Sequence, residues 1–371
     1  MAKVTLGEVA KEARETCKGD KSSFPTVGLE HITPEEIRLS NWDEGSDNTF
    51  TKRFHEGDIL FGRRRAYLKK AAIAPFEGIC SGDITVIRAM QEKMEPRLLP
   101  FIIQNDEFFD YAVGRSAGSL SPRVKWEHLK NYEFELPPLD KQRELADVLW
   151  SIEDTRTAYQ ELVTATEELV KSRFVEMFGS GEYPSVKLKD ICSKITDGTH
   201  KTPIYQSEGI PFVSAKNIKE GKLLFEDIKY ISDTEYENIQ KRCQISNGDL
   251  LLTKSGSLGM PALVDVDFPF GVFESLAVLK YNRERLNGLF LHSQVSSDDF
   301  QTRLFRGVKG IAVKHLHLNV IGETEIIVPP IALQNQFADF VELADKSKLV
   351  VKETLEKIAA MKAAIMQEWL G

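Results

Sequence analysis

The feature that most constrains this chain is the stretch from Leu136 to Phe178. It opens with Leu-Pro-Pro-Leu (136–139) and then runs to Phe178 without another Gly or Pro. Leu145, Ile152 and Tyr159 recur every seven residues, and Val148, Leu162 and Leu169 fill the interleaved places of that frame. Thr155, Thr166 and Arg173 fall in the same frame and weaken it. Near the end the apolar stripe passes to Phe174, Met177 and Phe178. The pattern predicts one amphipathic helix of about ten turns, roughly 55 Å long at ~5.4 Å per turn. A helix of that length needs a partner along its stripe.

The rest of the chain supplies one. After Gly179-Ser180-Gly181, a predicted break, the sequence begins again. Val4-Thr5-Leu6-Gly7-Glu8-Val9 is echoed by Val186-Lys187-Leu188-Lys189-Asp190-Ile191, and residues 27–32 by residues 213–218. Glu56-Gly57-Asp58-Ile59-Leu60-Phe61 is echoed by Asn247-Gly248-Asp249-Leu250-Leu251-Leu252. Pro137, Pro138 and Gln142 are matched by Pro329, Pro330 and Gln334, and a second long helix follows. It carries Phe337, Ala344, Val351, Ile358 and Ile365 at strict sevens, with Val341, Leu355 and Trp369 interleaved and Lys348 and Lys362 interrupting. Two seams of matching period can bury each other as a coiled coil. The expected order is domain 1–138, helix 139–179, domain 180–330, helix 331–371. Each domain reads as mixed α/β, with a helix expected over Leu98–Tyr111 in the first. We expect the two helices to pair antiparallel about a pseudo-two-fold axis, the growing repeat offset reflecting small loop insertions in the second copy.

A chain of 371 residues suits two domains rather than one core. Its 42% hydrophobic and 28% charged content is that of a soluble globular protein. The start, Met-Ala-Lys-Val-Thr-Leu-Gly-Glu, lacks the apolar core of a signal peptide, and Cys17, Cys80, Cys192 and Cys243 form no C-x-x-C pair. The expectation is a cytoplasmic protein with four reduced thiols. A net charge of −8 by itself argues against a nucleic-acid binder, but acidic residues concentrate on the long helix (Glu144, Asp147, Glu153, Asp154, Glu161), which leaves room for a local basic patch.

Enzyme classes fare poorly. There is no Asn/Asp-Pro-Pro-Tyr stretch of an amino-methyltransferase, no G-x-G-x-x-G, no P-loop and no nuclease carboxylate–Lys core. His315 and His317 alternate on a predicted strand but lack a third ligand for a metal. Two similar modules at a fixed separation suit a two-fold ligand such as duplex DNA, whose turn is ~34 Å.

The duplicated plan, the two Pro-Pro-x-x-x-Gln junctions (137–142 and 329–334), Asp197-Gly198-Thr199-His200-x-Thr202-Pro203, Pro211-Phe212-Val213-x-x-x-Asn217-Ile218 and Gly248-Asp249-Leu250-Leu251 together resemble the specificity (S) subunit of Type I restriction–modification systems. Lys141 and Leu333 stand where that family usually has Glu. The resemblance implies two target recognition domains, each reading half of a bipartite DNA sequence. It implies helices that set the gap and bind two modification subunits, through which restriction subunits join. This chain would catalyse nothing and bind no cofactor; S-adenosylmethionine, ATP and Mg would belong to partners. A Type IIB-like specificity subunit and a coiled-coil scaffold that never touches DNA remain as alternatives.

The candidate DNA-contacting residues fall in a few polar loops. Gly62–Lys70 holds Arg63, Arg64, Arg65 and Lys69, residue types that grip phosphate or pair with guanine. Opposite it in the repeat lie Lys254, Ser255 and Ser257. A second set is Arg115, Ser119 and Arg123, with Arg306, Lys309, Lys314, His315 and His317 as counterpart. Thr199, His200 and Lys201 follow an Asp-Gly turn, and Lys216 and Asn217 belong to the quoted motif. For each, the competing reading is a solvated loop.

Overall fold

The structure is a computed structural model that describes residues 2–45, 49–306 and 315–370. It divides into two compact units, residues 1–160 with 353–371, and residues 161–352, so each long helix contributes to both.

In the first unit, strand Ala2–Thr5 pairs antiparallel with Glu133–Leu136, the strand that leads into the central helix. Between them lies a four-stranded sheet in the order Ala10–Glu12, Ile84–Ala89, Ile59–Gly62, Ala71–Ile73. Strand side chains alternate between faces, and both faces here are covered. Ile59 and Phe61 point into a core with Leu6, Phe101, Phe108 and Leu149, while Leu60 points into a second core with Val27, Phe54 and Val86. A three-stranded sheet, Thr26–Val27, Gly78–Cys80, Lys52–Phe54, closes that second core.

The second unit repeats the plan. Ser185–Lys187 pairs with Glu325–Ile327. The sheet Cys192–Asp197, Leu276–Tyr281, Leu250–Thr253, Pro261–Leu263 matches the first in order, and Leu250 and Leu252 face one core while Leu251 faces the other. The excess length of the second copy is not loop. It forms a hairpin, Ile218–Lys219 with Lys222–Leu223, that widens the sheet, and a helix, Asp233–Arg242, whose N-cap Ser232 accepts from the Glu235 amide.

The motifs that repeat are structural devices. Gly57 and Gly248 take φ of +83° and +81°, which glycine alone adopts without strain, and turn the chain into the central strand. The following Asp58 and Asp249 are buried: Asp58 binds Arg88 through two hydrogen bonds of 2.6 and 2.7 Å, and Asp249 binds Lys280 at 2.5 Å. The junction glutamines are buried too. The Gln142 amide donates to Pro137 O (2.8 Å) and accepts from Glu95 N (2.8 Å). Gln334 repeats this with Pro329 O (2.7 Å), Arg285 O (2.9 Å) and Asn287 N (2.9 Å). Each glutamine fastens the first turn of a long helix to its own domain. Gln334→Leu leaves buried backbone groups unpaired at ~1–3 kcal/mol each. We expect a loss of roughly 3 kcal/mol in urea unfolding, against under ~1 kcal/mol for the exposed Asn335→Leu.

Both long helices are continuous, Leu139–Phe178 and Ile331–Leu370. In the first unit Leu145, Ala146 and Leu149 share a core with Ile365, Met366 and Trp369. In the second, Phe174 and Phe178 pack on Phe337 at 5.5 and 5.6 Å between ring centroids. The start of one helix meets the end of the other in each unit, so the pairing is antiparallel.

The seam of the C-terminal helix is as expected: Phe337, Val341, Ala344, Val351 and Ile358 are buried. That of the central helix needs correction. Leu145 and Ile152 are buried, but the interleaved row Val148, Leu162 and Leu169 is exposed. The row one position later, Leu149, Arg156, Val163, Val170 and Met177, is buried or half-buried instead. Two adjacent apolar rows flank the same heptad position, and periodicity does not say which one faces the partner. A second correction concerns the helix expected over Leu98–Tyr111. It is two helices, Leu99–Ile103 and Asp106–Gly114, because Asn105 adopts an extended conformation and its side chain accepts from the Glu107 amide, starting a new helix.

Candidate nucleic-acid interface

In the first unit the two polar sets from distant sequence meet. The loop after strand Ile59–Gly62 turns through a single 3-10 turn, Ala66–Leu68, bracketed by Arg65 and Lys69, both in the left-handed region with φ of 56° and 50°. Such a conformation is strained for residues with a Cβ and persists only where packing imposes it; here buried Ala66 anchors the turn. The loop is laced to residues 121–124. Arg65 N donates to Pro122 O (2.8 Å), Val124 N to Arg63 O (3.0 Å), and Arg64 Nε to Ser121 Oγ (2.9 Å).

Asp83 organises the cations. Arg123 Nε donates to its Oδ1 (2.7 Å) and Arg64 Nη1 to its Oδ2 (3.4 Å). The hydrogen bond from Arg123 and the two guanidinium charges hold the Asp83 carboxyl below the usual range. Arg115 lies over the Tyr111 ring at 5.4 Å, and Ser119 is exposed beside the fully projecting Leu120. Lys69 is tied to Asp106 at 2.6 Å. Arg63 is half-buried, and its Nε has no hydrogen-bond partner among the described residues. Arg64 and Arg123 thus converge on Asp83, with Arg65 in the same laced loop, a local gathering of cations on an acidic chain.

In the second unit the organiser is Asp197, almost wholly buried. Lys254 Nζ donates to its Oδ2 (2.5 Å), Arg242 donates to its Oδ1, and His200 Nε2 lies 3.3 Å away. Burial pushes the carboxyl up, and the hydrogen bonds from Lys254 and Arg242 more than reverse it, leaving the pKa lowered. His200 Nδ1 contacts Glu274 at 2.7 Å. Thr199 O accepts from Glu274 N (3.0 Å), and the Thr199 hydroxyl accepts from Lys201 N (3.2 Å), which orders the exposed Lys201. Leu316 N donates to Lys254 O (2.8 Å), as Val124 does to Arg63, so the loops correspond between units.

The candidates therefore divide. Thr199, His200, Lys201, Ser255 and Ser257, in the loops that carry this cluster, are exposed or half-exposed, and so is Lys216, whose Nζ lies at Asp227. Lys254 and Asn217 are buried: Lys254 is committed to Asp197, and the Asn217 side chain accepts from Ser214 N (3.0 Å) to cap a short turn. The repeat shows the same cap at His31 Nδ1, which accepts from Gly28 N (3.0 Å). Lys309 and Lys314 lie outside the described residues. Sequence reading missed Asp83 and Arg242. Asp83 has no local motif; Arg242 closes a helix with no counterpart in the first copy. Among the described residues no group of three or more His, Cys, Asp or Glu is placed to hold a metal ion, and all four cysteines are free. Among them, too, no helix is long and apolar enough to cross a membrane.

Comparison with known proteins agrees with this architecture. The chain is 20% identical over 371 residues to the Type I restriction enzyme MjaVIII specificity subunit of Methanocaldococcus jannaschii, covering 94% of this chain and 81% of that one. It is 22% identical to the putative Type I restriction enzyme MjaX specificity subunit of the same organism, covering 91% and 86%. The crystal structure of a Type I restriction–modification S subunit from M. genitalium superposes with a TM-score of 0.60 at 12% identity, covering 100% of this chain and 96% of that one, a likeness of fold. The family model for the Type I restriction modification DNA specificity domain matches twice, over residues 1–164 and 181–360, once for each repeat. The chain belongs to the Type I restriction modification DNA specificity family.

Proposed function

We propose that this chain is the DNA-recognition subunit of a Type I restriction–modification complex. The observation that carries the reading is the double family match, one recognition domain per repeat. Domain 1–138 and domain 180–330 each read one half of a bipartite target. In the first, Arg64, Arg65, Arg115, Ser119 and Arg123 face DNA, with Lys69 and Arg63 at the edge. In the second, Thr199, His200, Lys201, Lys216, Ser255 and Ser257 do, together with Lys309 and Lys314. Lys254 and Asn217 act from behind that surface, by holding loops. A scaffold that never meets DNA would give no role to two guanidinium groups gathered on the one carboxylate of Asp83, which leaves a net positive charge there.

The chain carries no catalysis and binds no cofactor of its own. Two modification subunits supply the S-adenosylmethionine chemistry, and restriction subunits with ATP and Mg join through them, in the cytoplasm. The modification subunits cover apolar side chains that both helices expose, among them Leu162, Leu169, Leu349 and Val350.

The paired helices act as the ruler between half-sites. Inserting seven residues after Ala158 and seven after Glu356, each a few residues from the Glu153–Lys362 contact, keeps both seams in phase. It adds ~10.5 Å at ~1.5 Å per residue, or about three base pairs at ~3.4 Å each. Methylation-aware sequencing of a genome carrying the assembled complex is expected to show the same half-sites with a gap about three pairs longer. An unaltered gap rejects the ruler.

A further inference from the structure

The two long helices are copies at a constant offset: Leu139–Phe178 and Ile331–Leu370 differ by 192 residues at both ends, as do Gln142 and Gln334. Copies with similar seams have two ways of burying them. The central helix can pair with the C-terminal helix of its own chain. Alternatively, in two copies of the chain, like can pair with like in the same register. Apolar rows distinguish these arrangements poorly, because shape and period are shared.

One contact does distinguish them. Glu153, on the central helix, has a side chain only 1% exposed. Its Oε2 meets Lys362 Nζ of the C-terminal helix at 3.2 Å, and its Oε1 accepts from Arg156 Nε at 3.0 Å. Lys362 also lies over the Phe101 ring, 5.3 Å from its centroid. Burial works against the charged carboxylate, but Arg156 and Lys362 together hold its pKa below the ordinary value. Arg156 is on the same helix as Glu153 and accompanies it in either arrangement. Lys362 does not. The residue 192 positions before Lys362 is Val170, so in like-with-like pairing Glu153 faces Val170 of the other copy.

We propose that the Glu153–Lys362 contact selects intramolecular pairing of the two helices over like-with-like pairing between two copies of this chain. The penalty is borne by Glu153, which would lose its cross-helix cation while still buried. The like-paired C-terminal helices would bring Lys362 opposite Asp345, the residue 192 positions after Glu153. That pair is a poor recompense: the Asp345 side chain is 38% exposed and already bound to Lys348 at 2.8 Å. The proposal concerns the protein's own association and stands apart from its reading of DNA.

The test uses the full chain, co-expressed in two differently tagged copies. Sequential affinity capture then measures the fraction of mixed species. The E153L/K362L variant removes the charge discrimination and keeps the volume; K362R keeps the charge. E153L/K362L is expected to raise the mixed fraction about ten-fold, the factor given by ~1.4 kcal/mol of lost selection. Its melting temperature should stay near or above that of the parent chain, since apolar replacement of a buried pair is often neutral or stabilising. K362R should match the parent chain in both readouts. A mixed fraction equal to the parent's overturns the proposal. So does a collapse of the melting temperature in E153L/K362L, which would make the pair a source of stability rather than of selection.

Discussion

Changing Arg64, Arg65 and Arg123 together to alanine is expected to weaken DNA binding by the assembled complex and to flatten its dependence on salt. Each phosphate contact contributes about −0.9 to the slope of log affinity against log salt on duplex DNA. Loss of three contacts should make the slope shallower by roughly two to three. The affinity loss should be largest at low salt and should spread evenly over sequences if the contacts are to phosphate. Arg64 and Arg123 now neutralise Asp83; without them its carboxylate faces DNA unpaired, which adds repulsion. A quadruple variant that also carries Asp83→Asn should recover part of the affinity but none of the slope. The arginines are 40% and 42% exposed, and ion pairs of that kind contribute under ~1 kcal/mol to stability. The variant should therefore fold, and a salt titration by fluorescence anisotropy reads the interface alone. An unchanged slope would remove the loop from the footprint.

The largest effect on folding is expected at Asp197. Its side chain is 3% exposed and that of Lys254 is 10% exposed. Asp197→Ala leaves Lys254 buried without a counter-charge, a change that typically costs ~3–5 kcal/mol. Arg242 and His200 lose their shared acceptor at the same time. Hydrogen exchange should quicken through 197–201 and 254–259 while the first unit keeps its protection. The doubly apolar D197L/K254M should recover most of the loss, because it removes both charges together. The pH dependence follows from the lowered Asp197 pKa. The unfolded carboxyl titrates near ~3.9, so the stabilisation is full above that value and is lost as pH falls through the lower folded value. Urea midpoints measured between pH 6 and pH 3 should fall for the parent chain and stay nearly level, for this term, in D197L/K254M.

The helices, the duplication and the family resemblance were legible because each rests on a period or a repeated order of residues. The Pro-Pro-x-x-x-Gln junction was visible as a pattern, but its meaning was not: the glutamine holds backbone groups that lie about 47 residues upstream, at Glu95 and Asn287. Distance in sequence hid those partners. The wrong interleaved row on the central helix had a different cause. Val148 and Leu149 are adjacent and both apolar, as are Leu162 and Val163, and Leu169 and Val170. Only the partner's position decides which of each pair is covered. Thr155 and Thr166, which interrupt the seam in sequence, bond back to Ser151 O and Leu162 O of their own helix at 2.7 Å. Cross-helix polar contacts include Glu153 with Lys362 and, more weakly, Glu167 with Lys348. At the interface, sequence supplied the arginines but not Asp83, since nothing local marks a carboxylate as the point where two loops converge. Lys254 shows the opposite error: a cation in a polar loop reads as exposed, yet a buried aspartate 57 residues earlier claims it.

The two-stranded ribbons that close each domain have a consequence for inheritance. Ala2 pairs with Leu136 and Thr5 with Glu133, and likewise Ser185 with Ile327 and Lys187 with Glu325. Each domain is thus a closed loop of chain whose entry and exit lie side by side, ~5 Å apart as neighbouring strands are. A segment exchanged by recombination between those strands keeps the helix that follows in place only if it again offers the backbone groups that hold Gln142 or Gln334 and the apolar face that packs on the helix start. Two crossovers, one at each strand of a ribbon, then replace a whole domain, while the seam contacts between the helices, such as Phe174 and Phe178 on Phe337, pass on unchanged.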